Sequence, residues 1–444
     1  MTATPATTRS QNGRDAKQAP RAPWSGLHSS RIRYRFKVPV MDFFLQWLLG
    51  GQTHGATEVG ESWYAAGLIK DGDPQSWVRS WEGLAERVEA RGRASLAAGH
   101  LVSARESLLR AYSYHRAPLA FLSPLKEPEQ VKARYARARA CFRDACKLFD
   151  PPIEEVTIPF EGKALPGYFL SSGPGNAPRK TLLMIGGGDT FVEDLYGYIG
   201  PAALKRGYNM LMVDLPQQGI LPFDGLLARA DYETPVGAVV DHLLSRADVD
   251  PHRIAMFGIS GGGYMAPRAA MYEKRISALV ALSMLLDVYE VWTTSMGADK
   301  LAKAEDRGLL RILEKLPVKR VRTGLTLFDV YKWKYGVTTL GELLEFAKTC
   351  TVDPSRIECP TLILVGQQEY EEYAESRRWQ DESLAKIRND NKRIVVLPRN
   401  EGADSHAAGT NVSLVAQVVF DWLDELFDHP EPAEAERLST STSR

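Results

Sequence analysis

Two different periods of hydrophobic and polar residues divide the chain. From Ile32 to Asp150 apolar residues recur every three or four positions, the spacing of one face of an α-helix. Asp73-Pro74 reads as a helix start, with aspartate as cap and proline in the first turn. Trp77, Trp81, Leu84 and Val88 form the apolar stripe behind it. A second helix is predicted from Ala94 to His115 and a third from Pro128 to Phe149, before Pro151-Pro152 closes the block.

After the prolines the period changes to two. Val156, Ile158 and Phe160 alternate, Glu161-Gly162-Lys163 supplies a turn, and Leu165 to Leu170 returns, so a hairpin is predicted. Short buried-strand runs follow at 181–185, 210–214, 253–258, 278–285, 361–366 and 393–398, separated by helix-like stretches. That alternation predicts an α/β fold: a mostly parallel sheet of about eight strands, covered by helices on both faces. One connection is long, about seventy residues of helical pattern between Leu285 and Thr361, and such an insertion is expected to be a lid or part of a substrate pocket. Residues 1–30 and 429–444 are rich in small, polar and charged residues and are expected to be disordered tails. The expected organisation is a tail (1–30), a helical cap (31–152), an α/β domain (153–428) with an insertion (285–356), and a second tail (429–444).

Composition narrows the function classes. Fifty-five Lys and Arg balance fifty-five Asp and Glu, which removes the broad attraction that drives non-specific nucleic-acid binding. No run approaches the ~18–20 apolar residues of a transmembrane helix, and the first twenty residues hold no apolar signal stretch. Cys141, Cys146, Cys350 and Cys359 make neither a disulfide framework nor a CxxC metal pattern. These features predict a cytoplasmic enzyme or small-molecule binding protein, without nucleic-acid or membrane partners.

The strongest chemical signal is Gly258-Ile259-Ser260-Gly261-Gly262, directly after the run 253–258 and directly before a helix-like stretch. G-x-S-x-G between strand and helix marks a nucleophile elbow, whose sharp turn needs glycine around the serine. A serine hydroxyl needs a base, and with such an elbow the chain order is serine, acid, histidine. Among eight histidines only His406 and His429 follow Ser260, and His429 falls in the tail, so His406 is the expected base. The acid is expected just after the run 361–366, where Glu369 stands three residues past Gly366; Glu371 and Glu372 compete in the same loop, and Asp287 is the alternative from another strand end. After 181–185 comes Gly186-Gly187-Gly188-Asp189-Thr190, where bare backbone can approach a ligand. The amide of Gly261 and that of Gly187 or Gly188 are the expected oxyanion donors. Tyr264, Trp292 and Trp333 are candidate pocket-lining residues. No metal or organic cofactor is implied.

The segments IGGGDTFVEDLY, MVDLPQQG, FGISGGGYMAPRAA, EKRISALVALS and GADSHAAGTNV, with VFDWLDEL behind them, resemble a branch of the α/β-hydrolases. That branch carries a helical N-terminal segment and includes the FrsA-like esterases, 2,6-dihydroxypseudooxynicotine hydrolase and fungal polyketide-shortening hydrolases. The likeness spans roughly residues 40–428, and Ser260, Gly262, Gly263, Tyr264, Ala266, Pro267 and Arg268 stand in its most specific stretch. It implies an α/β-hydrolase fold with a helical cap, Ser260 and His406 as catalytic residues, and hydrolysis of an ester or of a C–C bond next to a carbonyl. Aromatic or polyketide-like substrates and a homodimer through the cap are further implications of the resemblance. The same triad could serve an acyltransferase or cyclase, and a hydrolase-fold binding protein with little turnover is the rival outside enzymes.

Overall fold

The computed structural model describes residues 28, 30–310 and 319–428. Most of the two expected tails, His429 included, lies outside the described residues. His28 and Ser30, assigned to the first tail, are instead buried.

Five helices open the fold: α1 (Pro39–Gly50), α2 (Val59–Leu68), α3 (Pro74–Ala97), α4 (Leu101–Arg116) and α5 (Pro128–Cys146). Asp73 caps α3 as its sequence predicts, its carboxylate accepting from the amides of Gln75 and Ser76, and Trp77, Trp81, Leu84 and Val88 are all buried. The helix expected over 94–115 is broken. Gly99 takes a φ of 79° and ends α3, with the amides of Gly99 and His100 turning back to the carbonyls of Leu96 and Ser95. Residues 94–97 therefore extend α3, because the helical period runs on up to the glycine.

The sheet has eight strands: β1 (Glu154–Phe160), β2 (Lys163–Leu170), β3 (Arg179–Ile185), β4 (Asn209–Val213), β5 (Val249–Ile259), β6 (Ala278–Leu282), β7 (Thr361–Gly366) and β8 (Lys392–Leu397). They lie in the order β1-β2-β4-β3-β5-β6-β7-β8. The hairpin pairs antiparallel with itself and with β4, and every other neighbouring pair is parallel. Helices α6 (Asp194–Leu204), α7 (Glu233–Leu244) and α8 (Gly262–Ala270) follow β3, β4 and β5 in the βαβ manner.

Alternating side chains feed two cores. Leu182 and Met184 of β3, Met210 and Met212 of β4, and Phe257 of β5 face one of them. There they meet Trp77, Trp81, Tyr112 and Phe142 of the first five helices, and Phe420 and Trp422 of the helix Val412–Asp428. Leu183, Ile185, Leu211, Val213 and Met256 face the other, with α7, α8 and residues Trp292, Phe328, Leu340 and Leu343 of the long insertion. Each large apolar side chain so buried contributes about 1.5–3 kcal/mol. The N-terminal helices thus share one apolar core with a face of the sheet. No described helix is long and apolar enough to cross a membrane.

Candidate active site

Strand β5 ends in the elbow. Ser260 has a φ of 55°, a left-handed conformation that costs energy for a residue with a side chain and turns its Oγ out of the sheet edge. The turn closes only because Gly258 is bare: a Cβ there would lie 2.1 Å from the Gly262 carbonyl oxygen. The loop after β3 comes equally close, since a Cβ on Gly187 would sit 2.8 Å from the Cβ of Ser260, and one on Gly261 2.7 Å from the Gly188 nitrogen. The backbones of 187–188 and 261 are therefore neighbours beside the serine.

His406 stands between β8 and the helix Val412–Asp428, and its Nε2 is 2.7 Å from Ser260 Oγ. Its Nδ1 hydrogen-bonds Glu369 Oε1, and Ser283 Oγ donates to Glu369 Oε2. Glu369 follows β7 in the short helix Gln367–Glu372 and, like His406, is buried. Burial alone would push the Glu369 carboxyl up; the charge of His406 and the hydrogen bonds from His406 and Ser283 outweigh it and hold the group below its ordinary value. Burial presses the His406 pKa down, and the Glu369 charge and hydrogen bond more than offset it, leaving the imidazole raised. An ionised carboxylate can only accept, so Nδ1 carries the proton and Nε2 faces the serine as acceptor.

The rival carboxylates are engaged elsewhere. Asp287 caps residues 288–290, accepting from the Glu290 amide at 3.0 Å. Glu371 accepts from Gln367 at 2.9 Å, and Glu372 pairs with Arg31 at 2.7 Å. Asp287, the alternative acid on sequence grounds, thus stands at a strand end but turns into a helix cap, and the imidazole binds Glu369.

A cavity of about 1080 Å³ opens onto Ser260 and His406. Phe43, Phe44, Trp47 and Trp77, with Tyr112 and Phe142, give it an aromatic wall from the first five helices. The three aromatic residues proposed as lining lie elsewhere. Tyr264 is buried with its hydroxyl on the Ala230 carbonyl, Trp292 packs edge-on against Tyr331, and Trp333 lines an adjoining cavity of about 520 Å³. Sequence spacing put them near the elbow; side-chain direction took them into the core and behind the loop.

The loop after β3 is tied down by groups that sequence reasoning missed. Gln218 Nε2 holds the carbonyls of Gly186 (2.6 Å) and Gly187 (3.2 Å), and Lys334 Nζ holds that of Gly188 (2.6 Å). Arg116 of α4 donates to the Asp189 carbonyl at 2.6 Å. His28 Nε2 and the Tyr331 hydroxyl both donate to Asp189 Oδ2, at 2.7 and 3.0 Å. Burial would raise the Asp189 carboxyl, yet His28, Lys334 and Tyr331 bring it down to about 2. The opposite balance holds for Lys334, which burial pushes down to about 8 against the pull of Asp189 and Asp214. No local motif marks these contacts, which span up to 161 positions in the chain. Among the described residues, Glu89, His115 and Cys141 of the N-terminal helices bring ligand atoms within 4.8 Å of one another, but Arg137 and Arg93 already neutralise Glu89 where a cation would sit.

A doubly covered parallel sheet with an antiparallel hairpin at one edge, and an elbow serine facing a histidine from the last strand's loop, defines an α/β-hydrolase. Comparison with known proteins agrees. Residues 75–305 match the family described as esterase FrsA-like, and the chain belongs to it. The 20-hydroxy-prefusarin hydrolase FUS2 of Gibberella moniliformis is 30% identical over 412 residues, covering 88% of this chain and 98% of that relative. The alpha/beta hydrolase psoB of Aspergillus fumigatus is 30% identical over 448 residues, covering 93% and 99%. Of solved structures, 2,6-dihydroxy-pseudo-oxynicotine hydrolase shares the fold with a TM-score of 0.65 at 21% identity, covering 85% of this chain and 95% of its own. The chain is a hydrolase of this fold, related to fungal hydrolases.

Proposed function

We propose that the chain is a serine hydrolase in which Ser260 is the nucleophile, His406 the base and Glu369 the orienting acid. Its substrate is an aromatic or polyketide-like small molecule, cleaved at an ester or at a C–C bond beside a carbonyl. The observation that carries this reading is the continuous hydrogen-bonded line from Ser260 Oγ through both nitrogens of His406 to the buried Glu369. The aromatic cavity over the serine supports a substrate of that class. The printed name of the Gibberella relative, 20-hydroxy-prefusarin hydrolase, points the same way.

In this mechanism Ser260 attacks the carbonyl carbon as His406 Nε2 takes its proton, and the amides of Gly261 and of Gly187 or Gly188 receive the developing oxyanion. Collapse expels an alcohol, or an enolate where the bond is C–C, and His406 returns the proton. Water activated by the same imidazole then releases the acid. Glu369 stabilises the imidazolium of both steps, and Gln218 and Lys334 hold the loop amides in place from behind. Intact-mass measurement after a fluorophosphonate probe tests the reading: one adduct on Ser260, absent from Ser260→Ala, is expected. Folded enzyme that takes up no probe would refute it.

A further inference from the structure

The cavity over Ser260 holds a second histidine. His28 lines it, is 6% exposed, and lies with its ring centroid 6.3 Å from that of His406. It is oriented as His406 is, by a carboxylate on one nitrogen: Asp189 takes Nε2. Asp189 can only accept when ionised, so Nε2 carries a proton and Nδ1 is left over. That Nδ1 is buried and has no hydrogen-bond partner among the described residues. An unmade hydrogen bond of this kind costs about 1–3 kcal/mol, and so marks a place where a bound molecule supplies the missing partner. Phe43 and Phe44 flank the ring at 5.2 and 6.0 Å and fix its plane. His28 plays no part in activating Ser260, whose base is His406. The two imidazoles therefore face one cavity with room for a small functional group between them, and a simple ester has nothing to offer the second.

We propose that His28, held by Asp189, is a second catalytic residue that hydrogen-bonds through Nδ1–H to the leaving-side oxygen of a 1,3-dicarbonyl substrate and stabilises the enolate released when the C–C bond breaks. The inference rests on the serine-hydrolase reading and selects C–C cleavage within it. Ser260 Oγ bonds to one carbonyl carbon and passes its proton to His406. The C–C bond then breaks, and its electron pair moves onto the second carbonyl oxygen as an enolate, which the doubly protonated His28 ring receives with Asp189 as counter-charge. His406 protonates the enolate carbon, and water hydrolyses the acyl-serine. Dicarbonyl and water become carboxylic acid and ketone, with no oxidant or reductant needed. The Asp189 carboxyl, lowered to about 2, keeps its negative charge throughout the working pH range.

The test compares kcat/KM for 1-phenyl-1,3-butanedione with that for p-nitrophenyl butyrate in wild type, His28→Gln and Asp189→Asn, with fluorophosphonate labelling of each. Loss of one oxyanion-type donor is worth about 10²–10³-fold in rate. The diketone-to-ester ratio should accordingly fall about 100-fold in His28→Gln and about tenfold in Asp189→Asn, where the ring remains but its counter-charge is gone. An unchanged ratio in His28→Gln would overturn the proposal, as would wild-type enzyme that labels and cleaves the ester but leaves the diketone intact. Should His28→Gln fail to label, Asp189→Asn supplies the ratio; loss of labelling in both would make the pair a structural brace and overturn the catalytic role. A wild type that does not label at all refutes the underlying hydrolase reading instead.

Discussion

The two walls of the cavity differ in how they are built. The wall carrying Ser260, His406 and Glu369 comes from the ends of β5, β7 and β8, each residue placed by a short turn next to a parallel strand. The opposite wall comes from α1, α3, α4 and α5 with His28, and its residues meet only because helices far apart in the chain pack on one face of the sheet. The loop Gly186–Asp189 is where the two meet, held by Gln218 on the sheet side and by Arg116, Lys334, Tyr331 and His28 on the other. Turn chemistry thus sets the reactive atoms, and tertiary packing sets what they are pointed at.

Substitutions on the strand-end wall should therefore affect rate by orders of magnitude, and those on the loop's braces by less. The largest effect is expected for Ser260→Ala, about 10⁶-fold in kcat on the precedent of serine proteases, with an unchanged melting temperature. Retention of wild-type turnover would remove the strand-end wall from the chemistry altogether.

Glu369→Gln comes next, at about 10³–10⁴-fold in kcat with little change in KM, because the carboxylate acts chiefly on the charged imidazole of the transition state. It should also move the pH profile. His406 must be neutral to act as base, and Glu369 raises its pKa, so wild-type kcat/KM falls as pH drops through that raised value. Without the carboxylate, burial is left to lower the imidazole, and the acidic limb should shift to lower pH. A limb that stays in place, measured over pH 4–9, would detach Glu369 from His406.

Lys334→Met probes the shared loop. Its Nζ holds the Gly188 carbonyl, and losing a charged donor from a buried acceptor is worth about 1.5–3 kcal/mol, which predicts a loss of roughly tenfold or more in kcat. If KM changes and kcat does not, the lysine serves the substrate wall rather than the amides of the loop. The smallest effect is expected for Asp287→Asn, within about threefold in kcat, since its carboxylate caps a short helix and asparagine caps nearly as well. A loss comparable with that of Glu369→Gln would show that Asp287 reaches the reacting groups after all.

Most of the sheet was readable along the chain because a buried parallel strand is a short apolar run, and the six runs after the hairpin all became strands. ALVALSML is a partial exception. Its strand stops at Leu282, and Ser283 takes a φ of 61° and turns its hydroxyl onto Glu369. The run of apolar letters hid a turn that supports the acid. The helix predicted over 94–115 failed for a related reason: its period is continuous across Gly99, and only the backbone conformation at that glycine divides α3 from α4.

By itself the sequence determined the elements whose causes are local: the α3 cap at Asp73, the hairpin, the alternation of strand and helix, and the elbow around Ser260. It also narrowed the base to His406, because chain order left one histidine outside the tail, and it ranked Glu369 ahead of Asp287. Only the tertiary structure showed Glu369 on the imidazole and Asp287 in a helix cap, since both stand after strands and differ in where their side chains are drawn. It alone brought His28, Arg116, Tyr331 and Lys334 to one loop, and turned Tyr264, Trp292 and Trp333 away from the serine. Those choices depend on how the faces of distant helices pack against the sheet, and periodicity reports that a face is apolar without naming the face it will meet.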